Sequence, residues 1–187
     1  MLEGLFDADR WSTTFQNMGP FWEGFGVTLQ VVVAGLLLSL VLGTLLGGMM
    51  ATDYGGPINK AAYVSGTLAL VDLQYDLMAA VMAGGMIPPL GIALACLLFP
   101  TRFTSTERRS APQTLLMGAT FVTEGALPFA LRDPLRVSPA CIAGSALAGF
   151  ITILLGCGCP APHGGLFLLP VCLLYTSPSP RDTERSR

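Results

Sequence analysis

Charge is scarce in this chain of 187 residues: Asp, Glu, Lys and Arg together make up 12% of it, about half the share in an ordinary soluble domain. Lysine occurs once, at Lys60, and histidine once, at His163. No basic patch and no run of like charge is present, which leaves nucleic-acid binding without support. The formal net charge of -2 points to no charged partner. Five cysteines (Cys96, Cys141, Cys157, Cys159 and Cys172) lie in apolar stretches, and their odd number and spacing argue against a disulfide framework. Cys157-Gly158-Cys159 with His163 falls short of the four ligands of a structural zinc site. No metal or other cofactor is therefore expected, and the cysteines read as small packing residues. The start is acidic rather than basic and its apolar run begins late, so it does not read as a secretory signal peptide.

Apolar residues are abundant, at 52%. Gly24 to Thr52 contains no charged side chain, nor does Leu77 to Thr101, and Val137 to Tyr175 contains His163 but no Asp, Glu, Lys or Arg. A spanning helix needs about 20 apolar residues. The first two stretches each provide one helix. The third provides two short passes, or one helix and a re-entrant segment. The fold class is an all-α polytopic membrane protein whose transmembrane helices are interrupted by broken or re-entrant segments.

Residues 25 to 51 read as the first spanning helix, with Gly35, Ser39, Gly43 and Gly47 forming one small-residue stripe. Such a stripe lets two helices approach closely in lipid. Residues 52 to 63, broken by Gly55-Gly56-Pro57, read as a loop that is either solvated or folded back to bring Asn59 and Lys60 to a ligand. Residues 64 to 76 form a weaker segment. Residues 77 to 101 form a helix expected to kink or split at Gly84-Gly85 and Pro88-Pro89, because proline removes a backbone bond and clashes with the preceding turn. Arg102, Arg108 and Arg109 place the next loop in the cytoplasm. A helix-forming run at 137 to 156 precedes a second broken loop, Ala161-Pro162-His163-Gly164-Gly165.

Glu124 stands out, within the apolar stretch Phe121 to Phe129. A carboxylate at bilayer depth costs on the order of 3 kcal/mol. Either it faces a polar pathway or it ends a helix at the interface. Gly125 and Pro128 just behind it suggest broken backbone, which is tolerated at that depth where it is buried in protein or lines a cavity. Neutral His163 could donate and accept at once, which suits sugar hydroxyls; the alternative is an interfacial turn residue.

Five motifs in one order carry a resemblance. They are Met49 to Tyr63, Met78 to Ala93, Phe121 to Phe129, Asp133 to Val137, and Ala161 to Gly165. Together they resemble the fructose-type enzyme IIC component of bacterial sugar phosphotransferase systems over about residues 48 to 171. The resemblance implies a multi-pass inner-membrane permease that binds a fructose-like sugar. A phosphorylated IIB domain or subunit donates the phosphoryl group, so the donor residue lies outside this chain. It also implies a homodimer in the lipid bilayer. Glu124 would accept hydrogen bonds from the sugar and take the proton from the hydroxyl being phosphorylated. Asn59, Lys60 and His163 would supply the other sugar contacts. The family domain is longer, and residues 64 to 76 look shortened.

The two ends read differently. Phe21 to Gln30 and the apolar chain that follows resemble the first helix of an amino-acid ABC transporter permease, although the coupling motif of such permeases is missing. Residues 1 to 47 are thus set apart as a leader and first helix. Tyr175 to Asp182 resembles translated sequencing-adapter read-through, and residues 172 to 187 are expected to be a non-native disordered tail. An amino-acid permease segment and a non-functional joined product are the competing readings.

Overall fold

The computed structural model describes residues 18–168, and every regular element among them is helical. Six helices follow in order: α1 Gly19–Met50, α2 Pro57–Val71, α3 Tyr75–Leu98, α4 Ser105–Ala119, α5 Leu127–Arg132 and α6 Pro134–Leu154. Single 3-10 turns occur at Pro100–Arg102, Thr123–Ala126 and Leu166–Leu168. Trp22–Met50, Tyr75–Leu98 and Pro134–Leu154 are long and apolar enough to cross a membrane. The chain divides into two compact units, Met1–Leu38 and Ser39–Arg187. In the first, the helical residues Phe25, Val31, Leu37 and Leu38 are exposed, as lipid-facing side chains are. Much of the leader and the whole 172–187 tail lie outside the described residues.

The second unit is organised around α3, which packs on α6, α4 and α2. Its buried side chains include Met78, Ala80, Val81, Pro88 and Pro89. The small-residue face expected on α1 is used here from Gly43 onward. A Cβ on Gly47 would lie 2.6 Å from the Ser145 carbonyl oxygen, and one on Gly84 would lie 2.6 Å from the Gly47 Cα. Three backbones therefore meet at van der Waals distance with no side chain between them, the packing that substitutes for hydrophobic driving force in lipid. A Cβ on Gly35 would meet nothing within 4 Å.

One expectation changes and another is narrowed. Residues 57 to 71 are a helix rather than the end of a loop and a weak segment. Pro57 occupies the first helical turn, where its missing N–H costs nothing. The Asp53 carboxylate accepts from the Ile58 amide at 2.7 Å and the Asn59 amide at 2.9 Å, satisfying two free donors of α2. Helix α3, in turn, is neither split nor ended by its prolines: one helix runs from Tyr75 to Leu98. Pro88 and Pro89 cannot donate to the carbonyls four residues back, those of Gly84 and Gly85. Both carbonyls are taken by hydroxyls of other elements. Ser145 Oγ donates to Gly84 O at 2.8 Å, and Thr123 Oγ1 donates to Gly85 O at 3.2 Å. Ser145 and Thr123 are both buried, so neither hydroxyl has water as an alternative.

Helix α4 opens on a capping box. The Thr104 side chain accepts from the Glu107 amide, and the Glu107 carboxylate accepts from the Thr104 amide at 2.8 Å. Glu107 also pairs with Arg132 at the end of α5. Burial pushes the Glu107 carboxyl up, but the bonds from Arg132 and Thr104 outweigh it and hold the group below its ordinary value.

Candidate functional site

Three interruptions of helix converge in the second unit. The first is the turn between α1 and α2, Ala51 to Gly56. Tyr54 and Gly55 both take left-handed backbone there, at φ 45° and 101°. Asn59 ties the turn down: it is buried, and its side-chain amide donates to the Met50 carbonyl at 2.6 Å. That carbonyl belongs to the last turn of α1, which has no partner within its own helix. Asn59 thus acts first as a brace. Lys60, one residue on, is exposed.

The second interruption separates α4 from α5. Phe121 takes φ 65°, and the Val122 amide turns back to the Met117 carbonyl at 2.8 Å. The chain then makes the 3-10 turn Thr123–Ala126, anchored to α3 through the Thr123 hydroxyl. Thr123 points inward, and Glu124 is exposed. Its carboxylate lies directly on Gly55 of the first turn. A Cβ added there would overlap Glu124 Oε1 and sit 2.8 Å from Cδ. Glycine at 55 is required by its positive φ, and its lack of a side chain leaves the room that the Glu124 carboxylate occupies.

The third interruption is the run from Cys159 to Gly165 after α6. The Cys159 amide donates to the Tyr75 carbonyl at 2.9 Å, and the Tyr63 hydroxyl of α2 donates to the Pro162 carbonyl. Phe121, of the second interruption, joins this run to its own segment and to α2. Its ring lies 6.2 Å from the His163 ring and 6.4 Å from the Tyr63 ring, centre to centre. A Cβ on Gly164 would come within 2.7 Å of the Phe121 ring, so the turn packs flat on it.

Of the four candidate residues, Glu124 thus borders the turn that precedes α2, the helix carrying Asn59 and Lys60, and His163 lies against Phe121 of the Glu124 segment. Lys60 and Glu124 form no ion pair; among the described residues the ion pairs are Arg132–Glu107 and Arg136–Asp133. Phe121 and Tyr63 were missed in the sequence. Nothing around Phe121 in the sequence signalled that its ring would lie against both the His163–Gly164 turn and Tyr63 of α2. No group of three His, Cys, Asp or Glu suited to a metal occurs among the described residues. Two cavities lie elsewhere, one of about 410 Å³ between α3, α5 and α6 and one of about 450 Å³ among Arg102, the start of α4, α5 and α6, and neither is lined by the four candidates.

Comparison with known proteins decides the family. The chain is 50% identical over 154 residues to a PTS system fructose-specific EIIB'BC component of Rhodobacter capsulatus, covering 82% of this chain and 25% of the relative. It is 52% identical over 130 residues to a fructose permease IIC component of Bacillus amyloliquefaciens, covering 69% of this chain and 42% of the relative. This chain belongs, over the region it shares with them, to the fructose-specific IIC family. A third relative, the PTS system fructose-specific EIIC component of Haloferax volcanii, is 42% identical over 156 residues, covering 78% of this chain and 42% of its own length. The IIC chain described here therefore spans between a quarter and about two fifths of the length of these relatives. No family profile matches it, and no solved structure does. With three helices able to cross a bilayer, this IIC chain is a membrane protein.

Proposed function

We propose that this chain forms part of a sugar permease of a phosphoenolpyruvate-dependent phosphotransferase system, in a bacterial inner membrane that it crosses several times. It binds a fructose-type sugar and holds it for phosphorylation by a IIB domain or subunit. Relatives whose names join B and C components in one chain support the IIB partner. The permease portion corresponds to residues 48–171, and the small-residue packing of Gly43 and Gly47 on α6 supports extending it into the end of α1.

Glu124 carries the proposal, because an exposed carboxylate is held against a glycine turn between two other backbone interruptions. Its oxygens accept hydrogen bonds from sugar hydroxyls, and one of them takes the proton of the hydroxyl that attacks phosphorus. A base of this kind typically contributes 10²–10⁴-fold, and the rest of the catalysis is positioning. His163 offers a donor and an acceptor across Phe121. Lys60 attracts the phosphoryl group of the partner. Asn59 holds the turn and presents its remaining side-chain oxygen. A second copy of the chain completes a homodimer.

The test is sugar uptake and phosphorylation by an intact relative bearing the change that matches Glu124→Gln. Phosphorylation is expected to fall by about 100-fold or more, with unaltered amounts of protein in the membrane. Undiminished phosphorylation removes Glu124 from the mechanism.

A further inference from the structure

The two cavities share Phe103, Phe129, Arg136 and Val137, and so are the two parts of one groove. Its inner part, about 410 Å³, runs between the second half of α3 and the first three turns of α6. Ile87, Gly91 and Ala95 line one side, and Ala140 and Gly144 the other. Its outer part, about 450 Å³, is edged by Arg102, Arg132 and Arg136, with Glu107 and Asp133 as the acids. Arg132 is engaged by Glu107, and Arg136 lies 3.7 Å from Asp133 at an exposed site. Arg102 has no ion pair among the described residues. Arg108 and Arg109 follow on α4.

The arginines stand where α3 ends and α6 begins, at one end of two candidate spans. The apolar part of the groove runs from there along both helices. An apolar slot between spanning helices with a cationic mouth at the membrane edge matches an amphiphile with an anionic head. The positive-inside rule puts this edge in the cytoplasmic leaflet, where anionic lipids attract basic side chains.

We infer that this groove binds one anionic phospholipid, its phosphate at Arg102 and Arg136 and one acyl chain between α3 and α6. This site is distinct from the Glu124 region and does not depend on the sugar-binding role proposed for it. A Cβ on Gly91 would meet nothing within 4 Å, so the slot is open along this side of α3.

The chain, purified in detergent micelles, is offered phosphatidylglycerol and phosphatidylcholine of matched acyl chains, and retained lipid is counted by native mass spectrometry. One phosphatidylglycerol is expected to be retained in preference, with about fivefold of the preference lost per arginine in R102Q and R136Q. Gly91→Phe, which fills the slot, is expected to abolish retention while leaving the arginines in place. Helix content by circular dichroism checks that each variant folds. On the unaltered chain the preference should shrink as salt shortens the screening length from about 10 Å at 0.1 M to 3 Å at 1 M. Equal retention of the two lipids, no salt dependence, or undiminished retention in Gly91→Phe overturns the inference. Displacement of the lipid by inorganic phosphate alone does so too, and identifies a free-anion site instead.

Discussion

Residues 84 to 89 of α3 and residues 121 to 128, which run from the α4–α5 junction into α5, both contain glycine followed by proline, yet the first is helical throughout and the second is not. In α3 the two carbonyls orphaned by Pro88 and Pro89 are met by the hydroxyls of Ser145 and Thr123, so the helix continues through a buried position. In the second stretch Phe121 takes φ 65°, and the chain turns before Pro128 is reached. Proline alone thus does not decide whether a membrane helix breaks. In α3 the helix continues because neighbouring elements supply the missing donors; in the second stretch the turn is made at Phe121, and Pro128 sits in the first turn of the next helix. The two stretches are also coupled, because Thr123 of the broken one is a donor to the intact one. The residue after it, Glu124, is left outside.

The largest effect on this comparison should come from closing the space that allows it. Gly84→Leu would drive a side chain into the Gly47 backbone, and overpacking of this kind costs about 3 kcal/mol or more. Unfolding in mixed micelles titrated with a denaturing detergent measures the cost; a shift within error of zero would show that the helices can part freely at this point.

Removing the hydroxyls should cost less. Ser145→Ala leaves the Gly84 carbonyl buried without a donor, at about 1–2 kcal/mol, and Thr123→Val should cost somewhat less because its bond is longer. The sharper version adds Pro88→Ala, which restores an amide to the Gly84 carbonyl. In that background the Ser145→Ala penalty should fall by half or more. An unchanged penalty would mean that the hydroxyl serves something other than the proline defect. Glu124→Gln, by contrast, should leave stability unchanged in the same titration, since the carboxylate is exposed.

The smallest effect should be the pH dependence of the Glu107–Arg132 link, which fixes the start of α4 to the end of α5. Glu107 is held below its ordinary value in the folded chain. Its contribution is therefore present above the ordinary glutamate range, near pH ~4.3, and is lost as pH falls through the lower, folded value. Glu107→Gln should flatten this acid-side loss. An identical acid profile in the variant would assign the loss to other carboxylates.

Much of the fold was legible because spanning length and lack of charge are properties of a single stretch. The three long helices fall within a few residues of their expected positions, and α6 is the single helix of the third apolar stretch among the described residues. Helix α2 was not legible. Asn59, Lys60 and the Gly-Gly-Pro run read as loop, while the capping by Asp53 depends on how the turn closes. The candidate residues were legible as polar groups in apolar surroundings, but their company was not. Nothing near Gly55 in the sequence indicates that the Glu124 carboxylate will lie on it, and Phe121 gives no sign of meeting both Tyr63 and His163.

The sequence by itself determined that this chain enters a membrane, which segments can span it, and where charge is concentrated at its edges, because transfer into lipid is summed along each segment. Tertiary structure alone decided that a helix with two adjacent prolines stays whole and that Asn59 becomes a brace. It also decided that an acidic side chain comes to rest on a glycine turn. The first and the last depend on partners far along the chain, 38 residues for Thr123 and Gly85 and 61 for Ser145 and Gly84, brought close only when the helices pack; Asn59 reaches back only to Met50, across the turn that the packing closes.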